Sequence, residues 1–511
     1  MTTSTSAARD ALIAGAIVFV VALALRVALL HTARLGGDEA LFFRIGMDIV
    51  EGKSFPLLGT QITDGAGRLP GPTFLYWMAL PLLLWRAPEA QYLFVEVLGA
   101  VTVVVSWHAL RRPFGERAAF ITGLLIACAP WSALYADRTW NPNVLPLVVA
   151  VALLAALRVR EQPTSRWWIA LLPLLAVMPH FHMSAPVAWA GVLVLVGRSW
   201  LQAPRRRLLV GLLLAALLYV PLLVNEVQTG FQNTRHIFAE TVGKQGGERH
   251  VFGFVAVPLY ALRFLTLDVS YHELSGYWGG PDELKNLRAL VDGSAARPFH
   301  PLRLLALLCS VALALVAVGT VLRNAVVARR VGPFGLAFLA ALVVNTALMG
   351  LAAKQVFGHY VTNLFPFVVV AWAALFHALR ERRRFANVAV VVVAVVVALG
   401  GIEATLSVSR NVDAKIGLEV HRRATAVIVD DAVAAGLPLT EPVRLDFRGL
   451  RSSHYDWHIF ATRAVAVPMH FSPGAKRRRY ALTPLAAPAP RDALDPHGAV
   501  DVGHALLWRL R

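Results

Sequence analysis

Two adjacent carboxylates, Asp38 and Glu39, stand in "RLGGDEALFFRIGMDIVEGKSF" (34–55), directly after the first long apolar run of a 511-residue chain. A carboxylate at the end of an apolar run has two chemical uses. It caps a helix, accepting backbone N–H groups and complementing the positive end of the dipole. Alternatively it takes a proton from a reacting hydroxyl. Residues 38–51 carry Leu41, Phe42, Ile45 and Ile49 at helical spacing, so a short amphipathic helix begins near Asp38. Asp38 as N-cap and Glu39 as a first-turn acid account for both residues on spacing alone, and the base reading stands beside that one.

Other candidate groups are scattered along the chain. "HFH" (180–182) offers two histidines. Two residues apart on a helix they point to nearly opposite sides, which argues against a joint metal site. His182, a polar residue in an apolar stretch, either packs as a structural group or lines a cavity. His359 and Tyr360 open a later apolar run and suit an interface belt. With Lys354 nearby, they also form a cationic, hydrogen-bonding patch suited to a phosphate. The sequence holds no Walker loop, dinucleotide fingerprint, zincin helix or Cys-x-x-Cys pair, and no cofactor is expected. Its two cysteines, Cys128 and Cys309, lie in apolar runs and imply no disulfide framework. Asp282-Glu283 reads as a solvated pair in a polar loop.

The elements that carry these residues follow from hydrophobicity. The chain is 57% hydrophobic and 16% charged, with a mean hydropathy of +0.59, outside the usage of soluble globular proteins. Apolar runs of about 20 residues, enough to cross a hydrocarbon core of roughly 30 Å, recur throughout. The expected class is an all-α polytopic membrane protein. The run 11–31 is too long for a signal core and lacks a small-x-small cleavage site before Gly36, so it is read as retained. The net charge of +18 resides in short connectors: "RRPFGER" (111–117), "RVREQPTSR" (158–166), "RSWLQAPRRR" (198–207), "RNAVVARR" (323–330) and "RERRR" (380–384). That is the positive-inside pattern of a membrane protein, not a nucleic-acid footprint.

Keeping all five connectors on one side makes "GPTFLYWMALPLLLW" (71–85), interrupted by Pro81, a re-entrant or interface-lying helix rather than a crossing. Eleven spans follow, near 11–31, 90–110, 117–136, 143–158, 167–181, 184–199, 208–225, 301–322, 333–352, 360–379 and 386–406. Pro173, Pro179 and Pro186 interrupt the pattern of 167–199. The N-terminus then lies in the cytoplasm. A transmembrane domain, 1–406, presents outer loops 32–89, 137–142 and 226–300, and a small α/β extracytoplasmic domain occupies 407–511. In the long loop, "HVFGFVAVPLYALRFLTL" (250–267), with Pro258 and Arg263, suits an interfacial helix. In the tail, "HRRATAVIVDDAVAAGL" (421–437) reads as an amphipathic helix, and "VRLDFRG", "RRRYALTPL" and "HALLWRLR" read as short strands.

"GDEALFFRIGMDIVEGKSFPLLGT" and then "LPGPTFLYWMALPLLL" resemble the first outer loop of the membrane glycosyltransferases related to protein O-mannosyltransferases and lipid A aminoarabinose transferases (family 39-like, GT-C fold). There an Asp-Glu pair begins a juxtamembrane helix and a proline- and aromatic-rich helix follows. The likeness continues in order through "YADRTWNPNVLPL" (135–147), "MPHFHMSAPVAW" (178–189) and "FGHYVTNLFPFVVV" (357–370). It implies a glycosyltransferase in a bacterial cytoplasmic membrane, taking a hexosyl or pentosyl group from a polyprenyl-phosphate donor. The acceptor is a hydroxyl or phosphate of a lipid, glycan or protein at the outer face, and the sugar carbon is inverted. It also implies Asp38 as the base with Glu39 beside it, donor-phosphate contacts from Lys354, His359, Tyr360 and Arg138, and acceptor or sugar contacts from Asp137, Asn141 and His182.

One departure stands out. Some relatives carry Asp before the proline where this chain has Asn141-Pro142. Asp137 substitutes for it, or the loop binds the acceptor through neutral groups; a divalent metal is not supported by these residues. Two other readings remain at this level. A polytopic secondary transporter calls for a midplane site with broken helices in both halves. An O-antigen polymerase or ligase shares the lipid-linked donor but has no need of the Asp-Glu helix.

Overall fold

The computed structural model describes residues 2–30, 33, 35–62, 66–134, 138–242, 253–267, 301–326, 332–351, 356, 358–380, 384–410, 417–448, 454–473, 475, 478–484, 487, 489–495, 497–502 and 505–510. In hydrocarbon each backbone group must be satisfied within its own segment, so long apolar runs become helices. The first part of the chain forms α1 (Thr2–Val27), α2 (Asp38–Val50), α3 (Thr73–Ala79), α4 (Pro88–Phe114), α5 (Glu116–Cys128), α6 (Pro130–Leu134), α7 (Asn141–Glu161), α8 (Trp167–Val177) and α9 (Ala188–Val196). There follow α10 (Arg205–Leu217), α11 (Val220–Thr229), α12 (Gln232–Val242), α13 (Gly253–Leu265), α14 (Pro301–Val326), α15 (Gly332–Leu351), α16 (Phe365–Arg380) and α17 (Arg384–Arg410).

Among the described residues, seven stretches are long and apolar enough to cross a membrane: Ala8–Val27, Pro88–Phe114, Asn141–Glu161, Leu304–Arg323, Gly332–Leu351, Gly358–Leu379 and Val388–Leu406. The pair α10 and α11, bent by 43°, makes an eighth. The three other expected spans are shorter or interrupted helices. Residues 117–136 divide at Ala129, before Pro130, into α5 and α6. Residues 167–199 divide at two of their three prolines: α8 runs through Pro173 and passes into a 3-10 turn at Met178–His180, a second lies at Ala185–Val187, and α9 resumes the helix.

The stretch 71–85 is short, as expected, with α3 continuing as a 3-10 turn at Leu80–Leu83. Phe74, Leu75, Met78 and Leu82 are buried while Leu80, Leu83 and Leu84 face outward. Helix α3 lies close against α2 at Gly46, where a Cβ would stand 2.8 Å from Leu82 Cδ1. Glycine permits that approach. The helix expected within 250–267 is α13, a 13-residue element.

Helix α4 has 27 residues and so separates its ends by about 40 Å. At its C-terminal end the basic connectors gather: Arg111 pairs with Glu116 at 2.6 Å, Arg112 with Glu161 at 2.8 Å, and Arg158 with Glu161 at 3.1 Å. At its N-terminal end Glu89 pairs with Arg422 of the tail. The basic loops 111–117 and 158–166 and the tail thus occupy opposite ends of one helix.

The tail forms α18 (Leu418–Ala434), β1 (Val443–Phe447), α19 (His454–Ile459), β2 (Arg478–Pro484), β3 (Val500–Asp501) and β4 (Ala505–Arg509). The amphipathic helix and three of the strands (β1, β2 and β4) fall where the sequence pattern places them; β3 and α19 lie outside that expectation. The sheet order is β1-β2-β4-β3. Strands β1 and β2 are parallel, with Val443 opposite Arg478; the other two pairings are antiparallel. Val420, Ala424 and Ile428 of α18 bury against Val443, Leu445, Leu482 and Leu507, giving this portion a core of its own.

Candidate functional site

Helix α2 places the acidic pair. Its N-cap is Gly37, at φ +47°, and no side chain of the pair caps it. The cap reading of Asp38 is therefore corrected: the Gly-Gly step supplies the turn, and Asp38 is the first helical residue. Successive residues on a helix diverge by about 100°, and the pair divides accordingly. Glu39 is buried and ion-pairs with Arg138, Nη2 to Oε1, at 3.1 Å. The Asp38 side chain is open to solvent, yet desolvation by the protein packed around it raises its carboxyl above the ordinary range. The two facts agree for a group that solvent reaches on one side and protein surrounds on the others. Desolvation is the resolved cause of that shift.

From Arg138 a run of rings leads onward. Its guanidinium lies 4.1 Å over Trp140, and Trp140 lies 5.1 Å from His359. His359 is 4.5 Å from Tyr360, and His182 is 5.0 Å from Tyr360 and 6.3 Å from His359. Hydrogen bonds lock the three segments that carry these rings. Ser184 Oγ donates to the Tyr360 carbonyl at 2.7 Å and lies 2.8 Å from His182 Nδ1. Asn363 donates to the Ser184 carbonyl at 2.8 Å, Thr362 to the Pro142 carbonyl at 3.0 Å, and Asn141 to the Phe181 carbonyl. Asn345 in turn fixes Asn363 at 3.1 Å.

The two histidines of "HFH" part company, as expected, although they sit in a 3-10 turn and its exit. His180 is buried, with Nδ1 2.8 Å from Thr73 Oγ1. It packs so tightly on Gly71 that a Cβ there would stand 2.0 Å from its ring. Between them, Phe181 meets Phe74 and Trp77 edge-on, tying this turn to α3.

Of the residues singled out by sequence, Glu39, Arg138, Asn141, His182, His359 and Tyr360 therefore share one connected region, with Asp38 adjacent to Glu39. Lys354 and Asp137 lie outside the described residues, as does Asp282-Glu283. Among the described residues no group of three or more His, Cys, Asp or Glu side chains is arranged to hold a metal ion. Sequence reading missed Trp140, Ser184 and Asn363 as members. Trp140 lay in view inside "DRTWNPN", where an aromatic next to a cation was the available signal.

The sequence model of a family described as dolichyl-phosphate-mannose-protein mannosyltransferase matches residues 70–224. Across nearly the whole chain the structure is similar to ArnT from Cupriavidus metallidurans in the apo state, with a TM-score of 0.55 at 15% identity, covering 99% of this chain and 98% of that one. The chain has the GT-C fold. The same GT-C likeness extends to ArnT bound to undecaprenyl phosphate, with a TM-score of 0.54 at 15% identity over 98% of this chain and 97% of that one. It also extends to the Archaeoglobus fulgidus oligosaccharyltransferase in complex with Zn and sulfate, with a TM-score of 0.50 at 15% identity over 91% of this chain and 62% of that one. No curated protein sequence matches the chain. The resemblance read from the ordered motifs is thus borne out by the family match and the GT-C fold.

Proposed function

We propose that this chain is an integral-membrane glycosyltransferase that moves a sugar from a polyprenyl-phosphate donor to an acceptor hydroxyl or phosphate, with Asp38 as the general base. One observation carries the assignment of the base. The acidic pair is divided between a buried, ion-paired Glu39 and a solvent-reachable, desolvated Asp38. A raised pKa makes a carboxylate a stronger proton acceptor.

In the reaction, the acceptor oxygen attacks the anomeric carbon as the bond from that carbon to the donor phosphate breaks. The electron pair leaves with polyprenyl phosphate, and Asp38 takes the acceptor proton. A single displacement inverts the carbon. The leaving phosphate keeps its negative charge and needs donors aimed at it. Lys354, His359, Tyr360 and Arg138 are assigned that role, and Asp137, Asn141 and His182 contact the acceptor or the sugar. The ArnT structure bound to undecaprenyl phosphate supports a polyprenyl-phosphate donor.

The basic end of α4 faces the cytoplasm by the positive-inside rule. The site and the tail then face outward from a bacterial cytoplasmic membrane, where a lipid-borne sugar and its acceptor meet. A whole-chain likeness to the GT-C fold favours transfer over transport. The deciding experiment is Asp38→Asn, assayed for sugar transfer in membranes with matched amounts of folded protein. A general base contributes about 10²–10⁴-fold in rate, and a loss of that size is expected. Near-normal transfer overturns the assignment.

A further inference from the structure

We infer that the C-terminal α/β portion positions the transfer site by pinning the helix that carries Asp38 at both of its ends, with Asp456 as the positioning residue at the reacting end. This rests on the reading of Asp38 as the base. No side chain caps the start of α2 from within. Instead the Gly37 N–H donates to Asp456 Oδ1 at 2.9 Å, across 419 positions of sequence. Asp456 is buried, and its charge meets the positive end of the helix dipole.

At the other end of α2, Arg463 pairs with Asp48 at 2.5 Å and with Glu51 at 2.9 Å. Both pins come from one short segment, α19 and the π-helical turn Phe460–Ala464 that continues it. Such turns are frequent at functional sites. Between the pins an apolar seam closes the gap: Ile459 and Phe460 are buried in one cluster with Ala40, Phe43 and Met47 of α2. A backbone bond from Leu418 N–H to the Ala33 carbonyl, 2.8 Å, holds the approach to the helix.

Two polar pins about 20 Å apart, the length of a 13-residue helix, fix its axial position and tilt, and the seam fixes its rotation. Rotation is what the chemistry depends on. Asp38 and Glu39 differ by about 100° around the axis, so a turn of that size would bury the base and expose its neighbour. Small displacements of a reacting group already cost much rate; about 1 Å is worth on the order of 10²-fold.

The test uses the full chain in membranes, with a polyprenyl-phosphate sugar as donor. Asp456→Ala is expected to lower kcat about 10–100-fold with a much smaller change in donor KM, because Asp38 moves with the helix while the donor-site residues stand on other segments. Asp456→Asn keeps an oxygen to accept the Gly37 N–H and should recover most of the rate. Normal kcat in Asp456→Ala beside an inactive Asp38→Asn overturns the positioning role and leaves the base reading intact. Near-normal Asp38→Asn overturns the base reading itself. An Asp456→Asn variant as impaired as Asp456→Ala, or a loss that appears as raised donor KM, also overturns the inference. Should Asp456→Ala fail to accumulate as folded protein, Arg463→Gln removes the second pin from a partly exposed place, and unchanged kcat there counts against the inference equally.

Discussion

Replacing Arg138 by methionine removes from Glu39 the guanidinium that ion-pairs with it. Both side chains are nearly sealed from water, at 4% and 3% exposure, and lie 3.1 Å apart, so solvent screening does little to dilute the interaction. Removing one member of such a pair costs about 3–5 kcal/mol, because the other charge stays buried. Glu39→Gln does the same in reverse. Removing both charges together, in Glu39→Gln/Arg138→Met, is close to neutral when the space remains filled. At about 2 °C per kcal/mol for a large chain, each single variant should melt about 6–10 °C below the parent, with the double variant above both. The assay is thermal unfolding of detergent-solubilised protein, with transfer kinetics on the same samples. The kinetics separate two duties of Arg138. If its charge also meets the donor phosphate, the double variant keeps a raised donor KM while its melting temperature recovers. If its charge serves Glu39 alone, donor KM recovers too. Strictly additive melting shifts would refute the coupling on which this reasoning rests.

Three further outcomes are expected. Because desolvation raises the Asp38 carboxyl and the base acts when deprotonated, kcat/KM should fall on acidification through a pKa above the ordinary carboxylate value; a limb at the ordinary value counts against Asp38 as the base. Gly71→Ala drives a Cβ to within 2.0 Å of the His180 ring, whereas Gly319 has nothing within 4 Å of the added atom; folded yield should drop sharply for the first and stay near parental for Gly319→Ala. Burial depresses His421 to about 4, against a hydrogen bond to the Gly417 carbonyl that raises it, while an unfolded histidine titrates near about 6.5. The unfolded state therefore binds the extra proton, so the stability of the tail is fully present above that value and is lost as pH falls towards 4. Amide protection of α18, corrected for intrinsic exchange, should decline over that window, and His421→Phe should flatten the decline.

Much of the architecture was legible because its causes are local. Apolar length sets the long helices, and Pro179 and Pro186 mark where 167–199 breaks, whereas α8 runs on through Pro173. The spacing of Leu41, Phe42, Ile45 and Ile49 marks α2. Charge bias in the connectors corresponds to a real clustering at one end of α4. What the sequence hid depends on partners far away in the chain. A Gly-Gly-Asp-Glu step fits an aspartate cap and a glycine cap equally well, and the backbone sign at Gly37 decides between them. Arg138 reads as a spare cation until Glu39, ninety-nine positions earlier, is seen beside it. Asp456 gives no local signal, since its partner is a backbone N–H of another fold layer.

The adjacency of the two acids then has a physical reason. A carboxylate that holds a helix in place must be buried and paired, while one that takes a proton must stay reachable and weakly solvated. A single side chain cannot meet both demands. Two neighbours on one helix meet them because the 100° step between them turns one inward and the other toward solvent. Glu39 binds α2 through Arg138 to the segment 138–143, and the Thr362–Pro142 bond extends that connection to the ring cluster at 359–360. The tail holds the same helix from the other side. Among the described residues, the strong contacts at this helix end are made by residues other than Asp38. On the proposed mechanism that is the arrangement a base requires: an immobile frame, with one carboxylate left to the acceptor.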